Sequence, residues 1–107
     1  MEDLNTGNTY PDWNDDEETH YSLRLFITGA SPVSVRAISN IKNICERYLA
    51  GRYELEVIDI YQQPLLVKDE DITAIPVLIK KLPLPKKKLV GDMSDTSKVL
   101  KGLGIKY

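Results

Sequence analysis

Pro76 constrains this chain more than any other residue. It sits within Ile75-Pro76-Val77-Leu78, at the entrance of a short apolar run. Proline has no amide hydrogen to give to a strand ladder, so within sheets it is confined to edges, bulges and strand starts. The residues before it read as strand, helix, strand and short helix, which places the proline turn after a βαβ unit. Where such a turn serves thiol chemistry, a Cys-x-x-Cys pair stands at the end of the first strand. Here that place reads Thr28-Gly29-Ala30-Ser31-Pro32-Val33-Ser34, with no cysteine.

The first strand is Tyr21–Thr28, where Tyr21, Leu23, Leu25 and Ile27 alternate with Ser22 and Arg24. Gly29 ends it. Ser31 or Ser34 caps a helix from about Ser34 to Ala50, and Pro32 suits a first turn. Its apolar stripe is Val35, Ile38, Ile41, Ile44, Cys45, Tyr48 and Leu49, and Gly51 is its stop. Tyr53–Ile60 is a second strand, broken by Gln62-Gln63-Pro64, and Leu65–Asp71 is a short helix with an acidic end. Val77–Lys80 is a third strand, Leu82-Pro83-Leu84-Pro85 a turn, and Lys86–Gly91 a fourth strand at an antiparallel edge. Asp92 or Ser94 caps a last helix to about Leu103, whose end Gly102 and Gly104 fray. The order is βαβαββα, an α/β single domain with a parallel βαβ core. It resembles the thioredoxin-like layout, in which Pro76 takes the place of the cis-proline turn.

One domain suits 107 residues, since domains most often run roughly 100–150 residues. No run approaches the roughly 18 apolar residues of a membrane helix, and the start lacks the pattern of a signal peptide, so the expected compartment is the cytoplasm. The single cysteine, Cys45, excludes an internal disulfide and any multi-cysteine metal site. The net charge of −2 conceals an asymmetry. Residues 1–20 hold Glu2, Asp3, Asp12, Asp15, Asp16, Glu17 and Glu18 but no Lys or Arg, leaving nine acids against all fourteen basic groups in residues 21–107. We read residues 1–20 as a disordered acidic arm, whose two aromatics, Tyr10 and Trp13, read as solvated before they read as docking anchors. Residues 21–107 form the folded domain.

The chemistry available is thin. Thiol–disulfide exchange needs an exposed low-pKa thiol, usually with a resolving partner, and Cys45 on a packed helix stripe offers neither. Ser31 and Ser34 have no histidine near them except His20, beside the arm. The carboxylates Asp69-Glu70-Asp71 and Asp92 with Asp95 read as solvated helix-terminus charges before they read as acid/base or cation sites. No cofactor or metal is called for. The basic cluster Lys80, Lys81, Lys86, Lys87 and Lys88 is either an edge strand guarded against aggregation or a docking surface for an acidic protein. No aromatic is interleaved with it, which argues against single-stranded nucleic acid.

The ordered fragments, taken together, resemble the KaiB family of circadian clock proteins over about Tyr21–Leu103. They are Leu25-Phe26-Ile27-Thr28-Gly29, Ser31-Pro32, Ser34-Val35-Arg36-Ala37, Gly51, Tyr53-x-Leu55-x-Val57-Ile58-Asp59, and Gln63-Pro64. Then come Ile75-Pro76-Val77-Leu78, Lys80, Leu82-Pro83-x-Pro85, Lys87-Lys88, Gly91-Asp92-Met93-Ser94 and Lys98-Val99-Leu100-x-Gly102-Leu103. The resemblance implies a non-enzymatic regulator that binds a KaiC-like ring ATPase, in timing or in stress signalling. It implies partner contacts at Arg36, Tyr53, Lys80, Lys87 and Lys88, and structural turns at Gly29, Pro76, Gly91 and Asp92. It further implies a homo-oligomeric resting form, dimer or tetramer, whose C-terminal half switches fold beyond Asp59–Pro64. This chain departs from the clock pattern at Glu54 and Glu56, at Asp71, and in having Ile before Pro76.

Two other classes remain open from the residues alone. One is a thioredoxin-superfamily enzyme using a thiol cofactor such as glutathione, suggested by Pro76. The other is a nucleic-acid binder, suggested by the lysines.

Overall fold

The computed structural model describes residues 19–68, 70, 72 and 74–105. Almost all of the acidic arm, Asp69, Asp71 and Thr73 lie outside the described residues. The elements run β1 (Tyr21–Ile27), α1 (Pro32–Tyr48), β2 (Tyr53–Asp59), α2 (Pro64–Lys68), β3 (Val77–Leu82), β4 (Lys87–Val90) and α3 (Thr96–Leu103).

One four-stranded sheet has the order β2-β1-β3-β4. β1 pairs in parallel with β2, from Tyr21 beside Tyr53 to Ile27 beside Asp59. Its other side takes β3 antiparallel, and β3 takes β4 antiparallel. β1 is therefore central, with both of its edges bonded. The β1–β3 register slips between Ser22 and Leu23. Ser22 there faces Leu82 and Leu23 faces Lys80, so Lys81 is left as the extra residue of a bulge.

Strand alternation sorts the core into two layers. Tyr21, Leu23, Leu25, Ile27 and Leu78 face α1 and α3, where they meet Ala37, Ile41, Ile44, Cys45, Leu49, Val99, Leu100 and Leu103. Phe26, Ile58, Val77 and Ile79 face the other way, under Leu66 and Val67 of α2 with Ile60, Ile72 and Ile75.

Boundaries differ from expectation where caps decide them. α1 starts at Pro32, because Ser31 is the cap and its hydroxyl accepts from the Ser34 amide. Val35 of the expected stripe is 52% exposed, while Ser34 and Ala37 are buried. α3 is capped by Asp95, not by Asp92 or Ser94, its carboxylate accepting from the Lys98 amide. Its far end is not frayed. Gly104 N–H donates to Lys101 and Ile105 N–H to Leu100, the paired bonds of a Schellman end. α2 is shorter than expected, ending at Lys68.

Candidate partner-binding site

The turn after β1 is the place where thiol chemistry would occur. Gly29 has φ +56°, a conformation that a side chain at this position would strain. Past it, hydroxyls close the loop on itself. Ser34 Oγ accepts from the Thr28 amide at 3.2 Å and from Ser31 Oγ at 2.9 Å. Thr28 Oγ1 lies 3.4 Å from Ser31 Oγ. Ser34 is wholly buried, so its hydroxyl serves as an internal strut. Cys45 is equally buried on the same inner face of α1, toward its C-terminal end. Burial, with the neighbouring Glu46 charge, pushes its thiol up to about 12, so it is inert as a nucleophile at neutral pH.

The Ile75–Pro76 peptide bond is cis, as the sequence led us to expect. Pro76 meets the β4–α3 loop directly, since Gly91 N–H donates to the Pro76 carbonyl at 3.0 Å. Gly91 has φ +120°, open to glycine and closed to other residues in practice. Asp92 follows as a hub. Its carboxylate accepts from the Ser94 amide at 3.1 Å and from Arg36 Nε at 3.3 Å, and Asn40 donates to its carbonyl at 2.8 Å. The Ser94 bonds, ahead of Arg36, hold the Asp92 carboxyl below its ordinary value. Asp92 thus docks the loop onto α1, and Met93 beyond it adopts φ 63°.

The residues implicated in partner binding are spread over the surface. Arg36 is exposed beside Asp92. Tyr53 lies at the other end of α1, where its hydroxyl donates to Glu46 at 2.5 Å. That bond raises the phenol to about 12. Lys80 is only 4% exposed, and its ammonium donates to the Leu103 carbonyl at the end of α3. Lys87 sits opposite Lys80 in the ladder and is exposed. Lys88 points to the other face, donating to the Glu70 carbonyl at 2.6 Å. The structure therefore unites Pro76, Gly91, Asp92 and Arg36 in one loop cluster. It separates Lys87 from Lys88 by the thickness of the sheet.

Sequence reasoning missed Glu70. Expected as a solvated helix-end charge, it is 3% exposed. Lys81, Lys86 and Arg24 surround its oxygens at 3.1, 2.7 and 3.7 Å. The signal was a lysine surplus on the hairpin without an obvious counter-charge, masked by the acidic neighbours of Glu70 in sequence. Among the described residues, no helix is long and apolar enough to cross a membrane.

Comparison with known proteins agrees with this geometry. The KaiB domain profile matches residues 24–105. The circadian clock oscillator protein KaiB of Synechococcus elongatus is 46% identical over 87 residues, which are 81% of this chain and 85% of that protein. The circadian clock protein KaiB3 of Synechocystis is 49% identical over 83 residues, 78% of this chain and 81% of that one. Among solved structures, the N-terminal domain of Synechococcus elongatus SasA superposes with a TM-score of 0.65 at 26% identity, covering 79% of this chain and 83% of the domain. Mitochondrial thioredoxin 3 of Saccharomyces cerevisiae reaches the same TM-score at 14% identity, over 85% and 83%, and so shares the fold alone. With its thioredoxin-like sheet and hydroxyls at the end of β1, this chain belongs to the KaiB family, the non-catalytic proteins of the circadian clock.

Proposed function

We propose that this protein regulates a KaiC-like ring ATPase by binding it, in the cytoplasm and without chemistry of its own. The observation that carries this reading is the hydroxyl-closed turn at Thr28, Ser31 and Ser34 on a fold otherwise used for thiol exchange. A scaffold kept without its reactive atoms is left with its surfaces. The family match spans Arg36, Tyr53, Lys87 and Lys88, which supports their use as partner contacts. Lys80 would contribute from within, by fixing the end of α3 beside Lys87. Residues 21–107 would be the binding domain, with residues 1–20 as an acidic arm.

In the same reading, the free protein rests as a dimer or tetramer, and the segment beyond Asp59–Pro64 has a second packing. Such a switch requires two arrangements within a few kcal/mol of one another.

The deciding experiment mixes the full chain with a cognate KaiC-like ATPase and nucleotide, then follows co-migration by size exclusion. Complex formation at low micromolar concentration is expected. Its absence with both ATP and ADP would overturn the reading. Light scattering of the free protein tests the oligomer, where a monomer at all concentrations would dismiss the resting assembly.

A further inference from the structure

The family reading leaves the buried carboxylate of Glu70 without a role. Glu70 lies past the end of α2, in the connection leading to β3. Its oxygens face cations from three places: Arg24 of β1, Lys81 at the β3 bulge, and Lys86 just before β4. Arg24 is shared with Glu56 of β2 at 3.0 Å, and Lys88 of β4 holds the Glu70 carbonyl. Every strand of the sheet thus sends a charged group toward this one residue or its immediate partners.

What surrounds Glu70 is weakly held by comparison. α2 has five residues, none buried, and a helix that short cannot sustain itself in water. Its apolar grip is limited to partly buried Leu66 and Val67, with Ile60, Ile72 and Ile75, over Phe26, Ile58, Val77 and Ile79. The opposite layer, under α1 and α3, has a larger core of its own.

We propose that Glu70 is the catch of a strap: α2 stays on the sheet because this carboxylate is pinned, and it lifts as a unit when the carboxylate or its lysines lose charge, while β1, α1, β2 and α3 remain folded. Burial by itself raises the Glu70 pKa. Hydrogen bonds from Lys86 and Lys81 outweigh that and hold it below its ordinary value, so the catch is charged at neutral pH. The lysines can be reached from solvent, with side chains 36% and 45% exposed at Lys81 and Lys86. Acylation of either lysine by an acyl thioester, in which the deprotonated amine takes the acyl group, the free thiol leaves and a neutral amide remains, is therefore an input that the strap can sense, and its output is exposure of the Phe26–Ile79 face. The inference rests on ion-pair geometry and is independent of the ATPase reading.

Amide hydrogen exchange of the full chain near neutral pH tests it, with wild type, E70Q, K86Q and the double variant. The reporters are the amides of Gln63, Leu66 and Glu70, which donate to Asp59, Gln63 and Val67. In E70Q they should exchange at least about tenfold faster, since uncoupling a buried ion pair costs more than the energy of one decade. K86Q should give a smaller effect in the same region. The double variant should be no faster than E70Q, while the amides of Leu25 and Ile44 keep their rates within about twofold. Equal acceleration everywhere, loss of the fold in E70Q, no regional change in K86Q, or strict additivity in the double variant would each overturn the proposal.

Discussion

Lys80 Nζ donates to the carbonyl of Leu103 across 3.3 Å, tying the middle of the sheet to the last turn of α3. The bond places a cation at a helix C-terminus, where orphan carbonyls and the helix dipole both favour it. Burial, and then the nearby Lys87 charge, lower the Lys80 pKa from 10.5. The folded state therefore binds its proton less tightly than the unfolded chain does. Stability attributable to Lys80 should rise with pH from the folded pKa up to 10.5, because the cost of the buried charge disappears there. Lys80→Met should abolish that rise and change stability at neutral pH by no more than about 1–2 kcal/mol, one carbonyl losing its donor. Urea unfolding of both proteins between neutral pH and pH 10.5 checks the slope.

Cys45 should be invisible to thiol reagents until the chain unfolds. With its thiol pushed up to about 12 and no solvent exposure, it should react slower than in the unfolded chain by roughly the equilibrium fraction unfolded. Cys45→Ser should destabilise by about 1–3 kcal/mol, because it buries a hydroxyl in an apolar layer. Labelling of the native protein as fast as that of the urea-unfolded chain would contradict this.

The two faces of α1 should answer mutation very differently from the two faces of β1. Phe26→Ala empties a fully buried position and should cost about 3–5 kcal/mol. Val35→Ala should change stability by less than about 0.5 kcal/mol, since Val35 is mostly in water. Chemical denaturation midpoints at equal slope settle both.

Lys87→Glu and Lys88→Glu should part company. Lys88 supports the Glu70 carbonyl, so its reversal should cost stability of about 1–2 kcal/mol as well as any binding. Lys87 is exposed, and its reversal should leave the unfolding midpoint almost unchanged while weakening the ATPase complex. It should also raise the Lys80 pKa by removing a like charge. Titration against the ATPase, alongside thermal melts, separates the two effects.

How much of this was legible beforehand follows from range. Alternation in Tyr21–Ile27 and the three-to-four spacing in α1 are local signals, and they located both elements and most of the inner core layer. Pro76 and Gly91 marked real turns because their backbone needs are written in their own chemistry. Val35 deceived because the buried stripe of α1 runs through Ser34, Ala37, Ile41, Ile44 and Cys45, which leaves Val35 on its flank. The cap of α3 was misplaced because Asp92, Ser94 and Asp95 all have capping side chains, and Asp92 is taken by Arg36 from a distant helix. Glu70 and Lys80 depend on cross-strand register, including the slip between Ser22 and Leu23, which no short window contains, whereas the division of Lys87 from Lys88 is plain strand alternation that the sequence already held.

The hydroxyl strut at Ser31 and Ser34 has one more consequence. Sulfur in that position would tie the shape of the turn to the cell's reductant supply, as a peroxide burst would alter it. Oxygen does not exchange electrons under those conditions, and the one sulfhydryl of the chain is sealed inside. A protein built this way keeps the contour of this turn whatever the level of oxidant around it.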